Sequence, residues 1–289
     1  MQKAETFKKA GLVFKKIRKQ RKMSISSLSE GIISPSSISK FEEGRTQLSF
    51  INLSQLLMRM HVNLDEFYCK VYAGQVDSYT SFLNQINYIY QNNDLPALKK
   101  IANEKISHFK VDSNFDNLIE SSSVCALIRR ADPSFHVDSE IKKSLFDYLD
   151  KVEHWDFIEF SVFNNCMLIF DNEMIESALK EMLYLNLDNN PKNISRIVSA
   201  FSNAIDIFYR RKDYQKAKLL LGQIEKIVDD QSDLINRFKQ KFFDNLLSLN
   251  EKQAEENNCF LIEFLRLVGS NSLATSYEKY IEKYSFRQN

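Results

Sequence analysis

Apolar residues recur along this 289-residue chain at three- and four-residue spacing, almost without interruption. That is the period of helices burying one face. Near the start, Ala10, Phe14 and Ile17 mark one such face, with lysines and arginines opposite. Ser24 then stands as an N-cap before a short segment buried through Ile25 and Leu28. Gly31 interrupts. Ser34-Pro35 places a cap before a proline at the first helical position. The helix it opens has Ile38 and Phe41 as its apolar side and Gly44 as its C-cap. A further helix follows Phe50, Leu53, Leu56, Leu57 and Met60, and Leu64–Phe67 closes the unit. From residue 75 on, the spacing predicts helices over 75–92, 95–109, 114–131, 138–152, 156–170, 172–186, 192–212, 214–230, 233–250, 254–268 and 271–285. The breaks between them, such as Asp132-Pro133 and Asn189-Asn190-Pro191, are short.

Composition narrows the fold class further. The chain holds 6 Gly and 4 Pro, where average usage would supply about 35 of the two. Sandwiches, barrels and dinucleotide-binding folds need more turn residues than that. The expectation is an all-α protein of two domains, 1–68 and 69–289. The four cysteines form no C-x-x-C pair and read as free, largely buried thiols in a reducing cytosol. No apolar run approaches the roughly 20 residues that span a bilayer. A cytoplasmic protein with no membrane partner is expected.

Charge divides the chain. Residues 1–67 carry 12 Lys or Arg against 6 Asp or Glu; the remainder carries 27 against 32. A basic head on an acidic body is either the footprint for a polyanion or a solvated helix face.

The segment Ser34-Pro35-Ser36-Ser37-Ile38-Ser39-Lys40-Phe41-Glu42-Glu43-Gly44-Arg45 resembles the recognition helix of Cro/repressor-type (XRE) helix-turn-helix domains. Gly11-x-x-Phe14-x-x-Ile17-Arg18 resembles their first helix, and Val62–Phe67 their last. The resemblance implies binding to double-stranded promoter DNA. It places Pro35, Ser36, Ser37 and Lys40 at the major groove, with Lys40 suited to a guanine O6/N7 contact. Arg45 matches the phosphate contact just past the helix, and Ser26 lies where the second helix meets the backbone. For Arg18 two roles stand open: the family's structural pairing with Glu42, or a phosphate contact. Proline at the head of the recognition helix removes one polar reader, which leaves room for water-mediated or shape readout.

In the body, Phe163-Asn164-Asn165 lies 38 positions before Phe201-Ser202-Asn203, and Phe243-Asp244-Asn245 follows 42 positions later. A period near 40 built from two helices marks TPR-like stacks, here about five pairs forming an α-solenoid; an irregular helical bundle is the alternative. Joined to an XRE domain, this array resembles the Rgg family of peptide-pheromone receptors, relatives of the PlcR/PrgX group. Tyr148, Trp155 and Glu159 fit that family's repeat domain, whereas Asp156 departs from the glycine that often follows the tryptophan.

The Rgg resemblance implies a homodimer whose repeats bind a short linear signalling peptide in quorum sensing. Side-chain amides suit a peptide backbone because they donate and accept. Asn165 and Asn203 occupy matching positions, with Asn245 a third; each equally suits helix–helix bonding inside the stack. Arg196 and Arg237 are candidates for a peptide carboxylate, and Phe163 and Phe201 for the walls of apolar subsites. The four histidines form no metal pattern, and no phosphate loop or nucleophile elbow is present. Neither enzyme activity nor a cofactor or metal is expected. Two rival readings are a dimeric DNA-binding regulator without a peptide ligand and a TPR-type protein–protein scaffold.

Overall fold

The computed structural model describes residues 2–72, 77–185, 191–226 and 234–284, and every element among them is helical. The chain divides into two units, Met1–Ser81 and Phe82–Asn289.

The first unit contains α1 (Gln2–Gln20), α2 (Ile25–Ser29), α3 (Pro35–Glu42), α4 (Phe50–Arg59) and α5 (Leu64–Val71). Serines open three of these helices. Ser24, Ser34 and Ser49 each accept a hydrogen bond from the backbone N–H three residues on, at 3.0, 3.3 and 3.2 Å. Each bond satisfies a donor that the first helical turn leaves without an intrahelical partner. The end of α3 is a Schellman turn: Arg45 N–H donates to the Lys40 carbonyl and Gly44 N–H to that of Phe41. Gly44 has φ +72, the left-handed conformation this cap requires.

Packing of α1 on α3 explains the other glycine of the motif. A Cβ on Gly11 would stand 2.1 Å from the Phe41 carbonyl oxygen, so only glycine lets the two backbones approach this closely. Beside that contact the Phe14 ring meets Phe41 edge-on at 5.3 Å and Phe67 at 6.5 Å. Ile17, Leu28, Ile38, Leu56 and Leu57 complete a dry core.

The remaining helices are α6 (Ser78–Gln91), α7 (Leu95–Asp112), α8 (Phe115–Ala131), α9 (Ser139–Leu149), α10 (Phe157–Cys166), α11 (Asn172–Leu185), α12 (Pro191–Arg210), α13 (Tyr214–Ile224), α14 (Leu234–Ser248), α15 (Glu251–Leu267) and α16 (Asn271–Tyr284). Each expected helix has a counterpart here. The starts expected at 75 and 233 and the ends at 186, 230 and 285 lie outside the described residues. Helices α8, α10, α12 and α14 pack successively on one another. Against these, α7 and α9 pack on α8, α11 and α13 on α12, and α13 and α15 on α14, with α16 on α15. This array is the solenoid of TPR-like pairs.

One helix is shorter than its periodicity suggested. The helix expected over 156–170 stops at Cys166 and ends in a 3-10 turn, Met167–Ile169. Carbonyls freed by that stop are held by guanidinium groups: Arg129 donates to Ile169, and Arg211 to Leu168 and Phe170. Such bonds satisfy acceptors that a helix end would otherwise leave open.

Trp155, the sole tryptophan, is buried between Phe160 and Phe163, with ring centroids 5.7 and 5.4 Å away. Glu159 accepts from the Asp156 N–H and from the Tyr148 hydroxyl, so this carboxylate ties α9 to the start of α10. Cys125 and Cys166 are buried, and burial raises both thiols to about 12, which leaves them unreactive. The expectation of largely buried cysteines holds for these two only, because Cys69 and Cys259 are exposed.

Candidate functional site

Around α3 the outward face is polar and its inward face is fixed. Pro35, Ser36 and Lys40 are exposed, and Ser37 is half-buried. The Ser34 hydroxyl shares hydrogen bonds with those of Ser36 and Ser37, at 3.0 and 2.8 Å. The serines are therefore linked to the cap as well as facing outward. Lys40 stands one turn beyond Ser36 on the same side of the helix. Arg45 is exposed and pairs loosely with Glu43 at 3.1 Å, a contact that a phosphate can replace. Ser26 is exposed on α2.

Two arginines of this unit are committed inward. Arg18 Nε and Nη2 donate to Glu42 Oε1 and Oε2 at 2.6 and 2.9 Å, and Nη1 donates to the Met23 carbonyl at 2.7 Å. Both partners of the ion pair are buried, and the Glu42 hydrogen bond raises the Arg18 pKa against the opposing effect of burial. Arg59 Nη1 donates to the carbonyls of Leu28 and Glu30, closing the end of α2 onto α4.

The second unit holds a cavity of about 550 Å³ bordered by α8, α12, α14 and α16. Its α12 wall carries Asn203, Asp206 and Arg210, spaced three and four apart on one half-exposed stripe. Asp206 receives both hydrogen bonds of the Arg210 guanidinium. That guanidinium lies over the Tyr280 and Tyr284 rings of α16, at 5.8 and 5.6 Å. Ser202 Oγ and Tyr280 Oη, both at this cavity, are buried without a hydrogen-bond partner. A buried polar atom left in that state costs on the order of 1–3 kcal/mol. A smaller hollow adjoins, where Asn203 Nδ2 donates to Asn164 Oδ1 at 2.7 Å and Asn165 stands beside them.

The candidates from the repeat pattern separate in space. Asn165 is exposed and donates to the Ser161 carbonyl; it and Asn203 border the same hollow. Asn245 is buried and donates to Asn258 Oδ1 at 2.8 Å, inside the α14–α15 contact. Arg196 donates to Asn193 and lies over the rings of Phe157 and Phe160. Arg237 borders a separate hollow of about 430 Å³. Phe163 and Phe201 have 0% of their surface exposed. The assignment of these two as subsite walls is corrected: their rings fill the core of the stack, because the apolar stripe of each helix faces its neighbour. Sequence reasoning passed over Arg130, Asp206, Arg210 and the α16 tyrosines. Only the 203–206–210 spacing signalled any of them.

Two family models match the chain. One is a helix-turn-helix model over residues 14–67; the other is the C-terminal domain of the HTH-type transcriptional regulator Rgg, over residues 109–279. The second match spans more than half the chain. The protein belongs to the Rgg family. Its fold agrees: the Streptococcus dysgalactiae SHP pheromone receptor Rgg2 superposes with a TM-score of 0.74 at 20% identity, covering 95% of this chain and 99% of that one. The PrgX/cCF10 complex gives 0.74 at 18% identity, covering 96% and 92%. A structure described as a bacterial peptide pheromone/receptor complex gives 0.75 at 19%, covering 96% and 99%. An Rgg protein is a DNA-binding transcriptional regulator rather than an enzyme, and α2, α3 and α4 of this chain lie within the helix-turn-helix match. No helix among the described residues is long and apolar enough to cross a membrane.

Proposed function

We propose that this Rgg protein is a cytoplasmic, homodimeric regulator whose action on promoters is set by a short peptide held in the 550 Å³ cavity of its repeat unit. The observation that carries the reading is the cavity wall itself. Asn203, half-exposed on that wall, keeps its amide oxygen free to accept from a peptide backbone, with the Asp206–Arg210 pair farther along the same stripe. Pheromone binding by the receptor structures named above supports the same reading.

At the DNA, Ser36, Ser37 and Lys40 face base edges with Pro35 at the helix tip, and Arg45 and Ser26 face the phosphates. Phe260 and Leu267 of α15 are 76% and 85% exposed, seven residues apart on one side of the helix, and this apolar strip suits a second copy of the chain.

A gel-shift titration on the gene's own upstream region tests the promoter function directly. Lys40→Ala is expected to relax discrimination at one base pair, and Arg45→Ala to weaken all sequences about equally. Addition of a cognate peptide is expected to change the shift. If no peptide is retained by the full chain at micromolar concentration, the receptor reading falls while the DNA-binding one stands. Sedimentation of Leu267→Glu tests the dimer, with a shift to monomer expected.

A further inference from the structure

The wall of the main cavity is far more basic than the unit that contains it. Residues from 68 onward carry 27 basic against 32 acidic side chains. Bordering the cavity are Arg130, Arg210, Lys239, Lys279 and Lys283 against one carboxylate, Asp206, which is already bound to Arg210.

Arg130 stands apart within this set. It is the last-but-one residue of α8 and borders three hollows at once: the main cavity, the small one beside Asn164, and a third of about 360 Å³. Its surface is open to these hollows, yet protein surrounds it on the other sides. That desolvation, and the positive charge of Arg210, lower its pKa. No carboxylate among the described residues pairs with it. Asp94, at the third hollow, is the N-cap of α7 and accepts from Ala97.

The neighbouring arginines show what the array does with a guanidinium it needs for itself. Arg129 and Arg211, each adjacent in sequence to a cavity arginine, turn away and hold the carbonyls of the 3-10 turn. Successive helical residues point about 100° apart, so each Arg-Arg pair sends one side chain to the framework and one to the cavity. Arg210 has its acid in Asp206. For Arg130 no such acid stands among the described residues.

We propose that Arg130 anchors a carboxylate of the bound peptide, so that the ligand class of this cavity is an acidic or free-acid peptide. The inference rests on the peptide-receptor reading above. A planar guanidinium in a partly desolvated, cation-rich cavity favours a bidentate carboxylate, and it penalises an uncharged peptide that leaves this charge uncompensated.

Affinity selection tests it. The full chain is incubated with an equimolar pool of octapeptides randomised in Leu, Ile, Val, Gly and Asn, and retained peptides are read by mass spectrometry after size exclusion. The pool has four arms: one Asp or none, each with a free C-terminus or a C-terminal amide. Peptides carrying a carboxylate are expected to be enriched about tenfold over the neutral arm, the size of a lost charge-assisted hydrogen bond. The comparison of the Asp-amide and neutral free-acid arms tells side-chain from terminal carboxylate. Arg130→Gln should still retain peptides but discriminate less than about twofold, and Arg130→Lys should recover part of the preference. Equal retention of all arms, or a preference that survives in Arg130→Gln, overturns the proposal and leaves the receptor reading intact. If no arm is retained, the receptor reading fails and takes this inference with it.

Discussion

Arg18 and Arg130 occupy opposite situations in the two units. Arg18 is packed between helices with three hydrogen bonds, two of them to Glu42. Arg130 borders three hollows and has no acid partner among the described residues. The difference extends to the polar groups around each. In the helix-turn-helix unit the caps, the Schellman turn and the Arg59 bonds close the framework, and the polar outer residues of α3 lie on a finished scaffold. In the repeat unit the cavity wall presents Arg130, which has no acid partner among the described residues, and the free amide oxygen of Asn203. Recognition of a rigid duplex needs only an outward face. Capture of a short flexible chain needs an enclosed wall whose bonds are completed by the ligand.

The largest test of this contrast is Phe201→Ala. Its ring is core rather than cavity wall, so the repeat unit should lose about 4 kcal/mol, read by the fluorescence of Trp155 in urea. A loss below about 1 kcal/mol would return Phe201 to the cavity.

Glu42→Ala should follow, at about 3 kcal/mol, because it leaves the Arg18 charge buried without its partner. The urea transition monitored through specific DNA binding checks it.

Alkaline pH is expected to weaken the repeat unit. Burial raises Tyr209 and Tyr277 to about 12, above the unfolded value of 10.0. A raised folded pKa means the stabilisation is fully present below pH 10 and is lost as pH climbs towards 12. At pH 11 the pair should account for about 2 kcal/mol, visible as tyrosinate absorbance rising together with the Trp155 transition.

Ser34→Ala removes the cap of α3 and should cost about 1 kcal/mol, with a matching fall in operator affinity.

The smallest effect is the sharpest for the comparison. Arg130→Gln should change stability by less than about 0.5 kcal/mol, since nothing in the fold depends on that charge. A loss comparable to that from breaking the Arg18 pair would mean that Arg130 is structural and the two units are alike.

Much of the first unit was legible because its signals are local. Ser34 and Pro35 start a helix, Gly44 ends it, and these act within a few residues of each other. The outward, polar face of α3 was legible for the same reason. In the second unit, periodicity located every helix but not what each polar face touches. The repeat aligned Asn165 with Asn203 across 38 positions, whereas the residue that accepts the Asn203 hydrogen bond is Asn164, 39 positions away. One residue on a helix is about 100° of rotation, enough to exchange a neighbouring helix for open cavity.

By itself, then, the amino-acid order determined the all-α class, the helix-turn-helix head and the alternation of helices in the body. These follow from caps, breakers and a 3.6-residue period, all short-range properties of the chain. Only the tertiary structure decided that Arg129 and Arg211 serve the framework while Arg130 and Arg210 face the cavity. It likewise placed Asn245 and Phe201 inside the stack. Burial and hydrogen-bond partners are set by residues some 40 positions away, and the curvature that brings α8, α12 and α16 around one hollow leaves no mark in any single repeat.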